Sequence, residues 1–221
     1  MELDNIYNCD CLEGMKQIPD GSVDLVVTDI PYNEVNRSDN GLRNLNKEYA
    51  DIATFDLTSL TETLCRKANG SIYMFCGIEQ VSTIRAIMVK LGLSTRVIVW
   101  EKTNPSPMNG EFIWLSGIEL CVYGKKSGAV FNHKCRNTVL RYPCGTHEIH
   151  PTQKPVNLMR NLVLTSSNAG DTVLDPFMGS GTTAIACIRE KRHFIGFELC
   201  KDYYDKAVKR IKAEQAQLTL F

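Results

Sequence analysis

The stretch Thr172-Val173-Leu174-Asp175-Pro176-Phe177-Met178-Gly179-Ser180-Gly181-Thr182 joins a short apolar run to a helical pattern through two closely spaced glycines. Glycine permits the left-handed backbone of a tight turn and lets a ligand approach the main chain. A strand that ends in such a turn and leads into a helix binds nucleosides and dinucleotides. Glu198 follows about twenty residues later, where a carboxylate can hold ribose hydroxyls.

Outward from this turn, strand-like apolar runs alternate with helical periods. The predicted strands are residues 5–8, 23–28, 71–75, 96–100, 118–123, 172–174 and 193–197. The predicted helices are residues 57–67, 80–91, 156–166, 182–191 and 202–215. Several of the runs are apolar throughout, which is typical of strands buried on both faces. The alternation predicts an α/β fold around a mostly parallel sheet, with ligands beyond the carboxyl ends of the strands.

Composition narrows the class of protein. The chain of 221 residues is 43% hydrophobic and 23% charged, which predicts a single globular domain over residues 1–221. The amino terminus lacks the features of a signal peptide, and no apolar run approaches the roughly 20 residues of a membrane helix, so we expect a cytoplasmic protein without a membrane partner. Nine cysteines without paired spacing are interpreted as free thiols, and no metal site is predicted.

Two segments interrupt the alternation of strands and helices, at about residues 33–53 and 103–148. Long irregular segments are usually functional or disordered. Although 25 basic residues balance 25 acidic ones, the second segment contains a run from Leu120 to His147 without Asp or Glu. Its candidates for contact with nucleic-acid phosphates or bases are Lys125, Lys126, Lys134, Arg136 and Arg141. A solvated basic surface is the alternative interpretation.

A second motif, Asp29-Ile30-Pro31-Tyr32, directly follows a predicted strand. The lone pair of an aromatic amine is delocalised into its ring, so an enzyme must favour the pyramidal form in which the pair is free. The Asp29 carboxylate and a backbone carbonyl just after it can each accept one amine hydrogen and so orient the lone pair. Pro31 favours extended backbone at Ile30, and Tyr32 can stack on a base, a contact worth about 1–3 kcal/mol.

The order of these motifs, with His150-Pro151-Thr152-Gln153-Lys154-Pro155 between them, resembles the amino-group-specific DNA methyltransferases (N6-adenine and N4-cytosine) of the permuted beta class. The resemblance implies a circularly permuted, Rossmann-like fold that binds S-adenosylmethionine, with a mostly parallel seven-stranded sheet and helices on both faces. It implies that the catalytic residues are Asp29, Ile30, Pro31 and Tyr32. It implies that the cofactor-binding residues are Asp10, Cys11, Thr152, Lys154, Asp175, Pro176, Phe177, Gly179, Ser180, Gly181, Thr182 and Glu198, with Thr152 and Lys154 near the methionine carboxylate.

Adenine is the favoured base. Asp at the head of the first motif and the stretch Trp100-Glu101-Lys102-Thr103-Asn104-Pro105 resemble small adenine-specific members, while cytosine N4 stays open as the alternative. The family usually has Pro where this chain has Ile30, which leaves open a non-catalytic DNA-binding relative. A nicotinamide oxidoreductase would explain only the glycine turn and Glu198. Methylation of RNA or of a protein amide is a further alternative.

Transfer to a base in duplex DNA requires that the nucleotide be extruded, at a cost of a few kcal/mol. We expect the 103–148 region to supply target recognition and the 33–53 loop to close over the extruded nucleotide. A homodimer and a restriction endonuclease partner are both left open by the sequence.

Overall fold

The computed structural model describes residues 1–32, 55–107, 110–145 and 153–218, which form one mixed sheet with helices on both faces. The strands are β1 (Asn5–Tyr7), β2 (Val23–Asp29), β3 (Ala68–Cys76), β4 (Ser94–Lys102), β5 (Ile118–Lys125), β6 (Val139–Tyr142), β7 (Thr172–Asp175) and β8 (His193–Phe197). The helices are α1 (Cys11–Met15), α2 (Leu57–Lys67), α3 (Val81–Lys90), α4 (Val156–Ser166), α5 (Thr182–Arg189) and α6 (Lys201–Leu218), with a 3-10 turn at Ile78–Gln80.

The strand order across the sheet is β1-β8-β7-β2-β3-β5-β4-β6. Strand β5 runs antiparallel to both of its neighbours, β3 and β4, and every other described pair is parallel. The carboxyl ends of the seven parallel strands and the amino end of β5 therefore meet along one edge, which we call the carboxyl edge.

The core consists of two apolar layers, one on each face of the sheet. One layer packs β-strand side chains against α4, α5 and α6, and the other packs them against α1, α2 and α3. In β2, Leu25 and Val27 belong to the first layer and Val23 and Val26 to the second. Burial on both faces explains why β2 is apolar along most of its length.

The central strands β2 and β7 define where a ligand can bind. They are neighbours in the sheet, but β2 continues into the helix layer of α2 whereas β7 continues into that of α5. Connections that diverge to opposite faces leave a crevice at the carboxyl ends of the two strands. The residues that end these strands, Asp29 and Asp175, therefore stand at the mouth of the same crevice.

The predicted α/β fold is confirmed, with each predicted strand and helix present to within a few residues at its ends. The sheet has eight strands where seven were expected. The additional strand, β6, has four residues, lies at the sheet edge and is only half-buried at alternate positions, so it carries little hydrophobic pattern. Strands β5 and β6 also show that the 103–148 region is partly sheet, while the predicted 33–53 loop lies outside the described residues. Among the described helices, none combines the length and apolar character that crossing a membrane would need.

Candidate active site

Asp29 ends β2 at the centre of the carboxyl edge. The next residue, Ile30, still donates its N–H to Phe75 O of β3 at 3.1 Å, and its side chain is buried. Pro31 has no N–H to donate, so the chain leaves the sheet there. Tyr32 folds back until its hydroxyl donates to Asp29 Oδ1 at 2.9 Å. The four residues of the motif thus form one unit around the Asp29 carboxylate.

The amine of Lys154 joins this carboxylate to a second one. Lys154 Nζ lies 2.5 Å from Asp29 Oδ2 and 2.8 Å from Glu119 Oε2, and Lys102 Nζ lies 2.9 Å from Glu119 Oε1. We call Asp29, Lys154, Glu119 and Lys102 the charge chain, because negative and positive groups alternate along it and its net charge is zero. Pairing of this kind is what permits four ionisable groups to share a largely buried site.

Aromatic rings line the charge chain around Lys154. Its Nζ lies 5.5, 5.2 and 5.9 Å from the ring centroids of Tyr32, Phe75 and Trp100. Rings at this distance attract a cation through their negative faces. Trp100 is itself fixed, because its Nε1–H donates to Tyr142 O of β6 at 2.9 Å. The lysine is therefore held by both ion pairs and ring faces.

The surroundings set the protonation of each group in the chain. Burial raises the pKa of Asp29 against the opposing charge of Lys154, and the Glu119 carboxylate adds to the rise. Burial alone would raise the pKa of Glu119 as well, but Lys154 and Lys102 outweigh it and lower that pKa to about 2. The two carboxylates likewise outweigh burial at Lys154 and raise its pKa. Burial, then Asp29 and Glu119, raise the pKa of Tyr32, so its phenol stays neutral and donates.

Gln80 fixes the backbone that follows Asp29. Its side chain is buried in the 3-10 turn, where Oε1 accepts the N–H of Gly77 at 2.8 Å and Nε2 donates to Pro31 O at 3.1 Å. In a parallel ladder, the N–H of Gly77 would be the next donor to reach Ile30 O. Gln80 thus draws the Gly77 N–H away from the Ile30 carbonyl, which directly follows Asp29 in the chain.

The cofactor turn begins at Asp175, the last residue of β7. Its carboxylate is buried, accepting the N–H of Phe177 at 3.1 Å and the hydroxyl of Thr183 at 2.6 Å, and burial raises its pKa to about 6. Pro176 and Phe177 lead into the glycines, and the Phe177 ring packs 5.2 Å from that of Phe55. These contacts lock the start of the turn to the sheet and to α5.

Both glycines of the turn adopt the left-handed conformation, with φ of +53° at Gly179 and +80° at Gly181. Among the described residues, the nearest atom to a Cβ added at Gly179 would be the backbone oxygen of Phe177, 3.9 Å away, so this part of the chain leaves that side of the turn open. Helix α5 begins directly afterwards at Thr182, whose hydroxyl lies 3.1 Å from that of Ser180. The predicted turn and the predicted start of the helix are both present.

Glu198 lies beside this turn, directly after β8. Its Oε2 accepts the N–H of Gly179 at 2.9 Å and its Oε1 accepts the N–H of Cys200 at 2.8 Å. A carboxylate has about four acceptor sites, so it retains capacity for two ribose hydroxyls. Burial raises its pKa, and the backbone N–H groups oppose that rise. The open glycine turn and this oriented carboxylate fit a nucleoside cofactor such as S-adenosylmethionine.

The short first strand brings Asp10 and Cys11 to the same end of the sheet. Asn8 Nδ2 donates to the backbone oxygens of Glu198 and Leu199 at 2.8 and 3.0 Å. Asp10 caps α1 by accepting the N–H of Glu13 at 3.0 Å, and Cys11 is buried. The structure thus brings both residues near Glu198, while their contact with an adenine ring stays a prediction.

The structure bears on Lys154 but not on Thr152, the two residues expected near the methionine carboxylate of the cofactor. Lys154 was expected at the methionine carboxylate of the cofactor, but its amine lies between Asp29 and Glu119. Lys154 stands just before the N-cap of α4 and reaches Asp29 across 125 residues of chain, while its contact with the cofactor stays a prediction. Thr152, its predicted neighbour in the cofactor site, lies outside the described residues.

The five basic residues predicted to contact DNA are not close together. Because β5 is antiparallel, Lys125 pairs with Ser71 at the sheet edge opposite Asp29, and Lys126 donates to Ala68 O there. Lys125 and Lys126 therefore lie far from Asp29, and their contact with DNA stays a prediction.

Two more of the basic residues lie along the side of the sheet. Arg136 donates to Asn161 in the middle of α4 at 2.7 Å, and Lys134 lies two residues before it in the same exposed loop. Arg141 of β6 pairs with Glu101 near the carboxyl end of β4. Of the five basic residues, it is the one that lies at the carboxyl edge together with Asp29.

Sequence reasoning missed Glu119, Lys102 and Gln80. Glu119 interrupts an otherwise apolar strand, which is a signal that a polar group is held for a purpose. Lys102 lies inside the Trp-x-Lys stretch that was used only to favour adenine. Gln80 carries no local signal, since its role depends on contacts with Gly77 and Pro31.

Comparison with known proteins identifies the family of this chain. A sequence model of the DNA methylase family (N6_N4_Mtase) matches residues 113–209. The chain is 30% identical to the Type II methyltransferase M.HinfI of Haemophilus influenzae, a match that covers 95% of this chain and 68% of M.HinfI. It is 31% identical to the DNA adenine methyltransferase YhdJ of Escherichia coli (strain K12), covering 95% of this chain and 83% of YhdJ. The solved complex of M1.HpyAVI with S-adenosylmethionine matches with a TM-score of 0.72 at 30% identity, covering 94% of this chain and 98% of that one.

The glycine turn, Glu198 and the sheet order define a Rossmann-like methyltransferase of the permuted beta class. The chain belongs to the amino-group-specific N6/N4 DNA methylase family, and S-adenosylmethionine is its methyl donor. The family, fold and cofactor expected from the sequence are confirmed.

Proposed function

We propose that this enzyme methylates the exocyclic N6 amine of an adenine extruded from duplex DNA, with Asp29 and Ile30 gripping the amine. The observation that carries the proposal is the fixed pair of acceptors at the end of β2. One is the Asp29 carboxylate, oriented by Lys154 and Tyr32, and the other is the Ile30 carbonyl, left available by Gln80. Adenine is favoured by the similarity to YhdJ, which is named a DNA adenine methyltransferase.

The two acceptors act on the amine nitrogen together. Each takes one N–H, which holds the nitrogen pyramidal and leaves its lone pair free to attack. When bound, S-adenosylmethionine supplies a methyl group on a positively charged sulfur. The amine must lose one proton when it becomes methylated, and Asp29 is the acceptor already bonded to it. Because burial raises the pKa of Asp29, this carboxylate takes the proton more readily than an exposed one would.

The residues assigned to the cofactor lie on the other side of the crevice between β2 and β7. Gly179 and Gly181 allow the ligand to approach the backbone, and Glu198 holds the ribose hydroxyls. Asp10 and Cys11 border the adenine ring. The residues at the end of β2 therefore bind the base, and those at the ends of β7 and β8 bind the methyl donor. We call this separation the division of labour.

We infer that target recognition comes from the parts of the 103–148 region at the carboxyl edge. Arg141 and the loop between β4 and β5 meet this condition, whereas Lys125 and Lys126 do not. A restriction endonuclease partner is supported by the similarity to M.HinfI, which is named a Type II methyltransferase. Such a partner would cut unmethylated DNA at the sequence that this chain methylates, and resistance of plasmid DNA, methylated in cells by this chain, to a panel of restriction endonucleases would identify that sequence.

The test is transfer of a labelled methyl group to mixed-sequence duplex DNA, followed by mass spectrometry of the nucleosides. We expect N6-methyladenine from the wild type. Asp29→Ala should lower transfer about a thousandfold because it removes one of the two acceptors. The dissociation constant for S-adenosylmethionine should change by less than about threefold, as measured by titration calorimetry.

Each of the other outcomes has a distinct meaning. Detection of N4-methylcytosine would show that the target base is cytosine and not adenine. DNA binding without any transfer would identify a non-catalytic relative, as the substitution of Ile30 for the usual Pro leaves open. Equal loss of transfer and of cofactor affinity in Asp29→Ala would contradict the division of labour, and Asp29→Asn, which keeps the shape of the side chain, separates a change of charge from a change of packing.

A further inference from the structure

Four consecutive large apolar residues are exposed between β4 and β5. The exposed fractions are 87% for Phe112, 68% for Ile113, 96% for Trp114 and 44% for Leu115. We call these four residues the apolar tip. A contiguous apolar patch of this kind on a folded protein marks a surface that binds something.

The apolar tip is anchored at the carboxyl edge. Gly117 N donates to Leu115 O at 2.8 Å, and Lys102 N donates to Gly117 O at 2.8 Å, which ties the base of the tip to the end of β4. Glu119, two residues further on, contacts Lys154 and Tyr32 in the charge chain. Glu119 is five positions after Trp114, so the Trp114 Cα lies within about 18 Å of the Glu119 Cα.

The position of the tip identifies its partner as duplex DNA. A base can reach Asp29 only if the duplex lies along the carboxyl edge, and extrusion leaves a gap in the stack of bases. Proteins that kink DNA insert apolar side chains between bases, and aromatic rings stack favourably on the exposed base faces. The tip itself carries no charge, and Arg141 on the same edge can bind a neighbouring phosphate.

We propose that Trp114 inserts into the DNA base stack beside the extruded adenine and holds open the gap that it leaves. This proposal rests on the proposed function, since it requires a base that leaves the duplex. Trp114 has the largest ring of the tip and the most exposed one. It is a wedge that favours extrusion, and it has no part in the chemistry at Asp29.

The experiment compares paired and unpaired target adenines in the sequence that the wild type methylates. Trp114→Ala should lower kcat/KM about tenfold or more on the fully paired duplex, because the gap is no longer filled. On the same duplex with the target adenine opposite an abasic site, extrusion costs less and the variant should lie within about threefold of the wild type. Trp114→Phe should recover most of the activity, and Val89→Ala, an exposed apolar residue at the end of α3, is the matched control.

Fluorescence provides a second measurement that does not depend on turnover. The chain has two tryptophans, of which Trp100 is 2% and Trp114 is 96% exposed. Quenching by acrylamide therefore reports mainly on Trp114. Duplex DNA with its target sequence should protect this fluorescence from the quencher if the ring enters the stack.

Three results would overturn the wedge while the wild type is active. They are unchanged activity of Trp114→Ala on paired DNA, an equal loss on paired and unpaired targets, and a dimer in sedimentation that Trp114→Ala converts to a monomer. The last would assign the apolar tip to a second copy of the chain. A wild type that transfers no methyl group to any DNA would instead refute the proposed function, and the wedge with it.

Discussion

At the scale of single residues, the site depends on groups that fix the Asp29 carboxylate before any substrate arrives. Lys154 and Tyr32 each bind one of its oxygens, and Glu119 holds Lys154 from the other side. A preorganised acceptor requires little rearrangement during the reaction, which is the main source of electrostatic catalysis. The orientation of Asp29 is therefore a property of the whole charge chain.

Gln80→Ala tests whether the Ile30 carbonyl is kept available. Without the side chain, the N–H of Gly77 is free to bond Ile30 O, which removes the second acceptor for the amine. We expect kcat to fall by about 10- to 100-fold, with KM for S-adenosylmethionine nearly unchanged, in steady-state assays with labelled cofactor.

Gln80→Glu is the informative companion, because it keeps an acceptor for Gly77 and loses the donor to Pro31. Gln17→Ala, at an exposed position, is the control for removal of a glutamine. If kcat stays at the wild-type value while only the thermal midpoint falls, Gln80 serves stability and not positioning.

The sequence alone could identify the contacts between site residues that lie close together in the chain. Asp29 and Tyr32, or Gly179 and Gly181, are close in the chain and form recognisable motifs. Lys154 and Glu119 reach Asp29 only through the fold, across 125 residues in the case of Lys154. A pattern in the sequence carries no information on such a contact.

At the scale of elements, the glycine turn between β7 and α5, which we propose binds the cofactor, takes a backbone conformation that glycine permits. Gly181 adopts φ of +80° and lies against α6, where an added Cβ would be 3.3 Å from Ile211 and 3.4 Å from Ala207. The turn therefore needs glycine for two reasons, its backbone conformation and its contact with the helix.

Gly181→Ala should lower the free energy of unfolding by about 1–3 kcal/mol, from backbone strain and crowding together, as measured by urea denaturation. Gly170→Ala is the matched control, because Gly170 has φ of +86° and no atom of the described chain lies within 4 Å of an added Cβ, so it isolates the cost of strain. Affinity for S-adenosylmethionine should fall in Gly181→Ala alone. Equal effects of the two substitutions on stability would mean that contact with α6 contributes nothing.

The elements themselves were largely predictable, but their directions were not. Hydrophobic periodicity revealed the central strands because they are buried on both faces. Parallel and antiparallel strands show the same hydrophobic periodicity. The antiparallel direction of β5, and with it the position of Lys125, could therefore not be predicted from the sequence. Strand β6 was not predicted, because its four residues are buried only in part and form too short a pattern to identify a strand.

At the scale of the whole molecule, the charge chain links global stability to pH. Glu119 has a pKa of about 2 in the folded protein against an ordinary value of 4.5. Between these values the unfolded chain binds more protons than the folded one, so stability rises with pH across this window. The contribution is complete above about pH 4.5 and is lost as the pH falls toward about 2.

Glu119→Gln should therefore remove up to about 1–3 kcal/mol of unfolding free energy at neutral pH and progressively less below about pH 4.5. Urea denaturation of both proteins at neutral pH and at about pH 3.5 measures the difference. Glu101→Gln is the control, since Glu101 pairs with Arg141 on the exposed surface, where an ion pair contributes at most about 1 kcal/mol. A difference between wild type and Glu119→Gln that does not change with pH would contradict this role of the charge chain.

The hairpin of β4 and β5 has a consequence for how target preference can diversify. The two strands pair along eight residues of each, from Ser94 with Lys125 to Glu101 with Ile118, and form the stem of the loop that joins them. Insertions, deletions or exchanged sequences at that loop leave the stem and the chemistry beneath it untouched. If the loop reads the target sequence, as proposed above, transplanting it between related enzymes should change which DNA sequence is methylated.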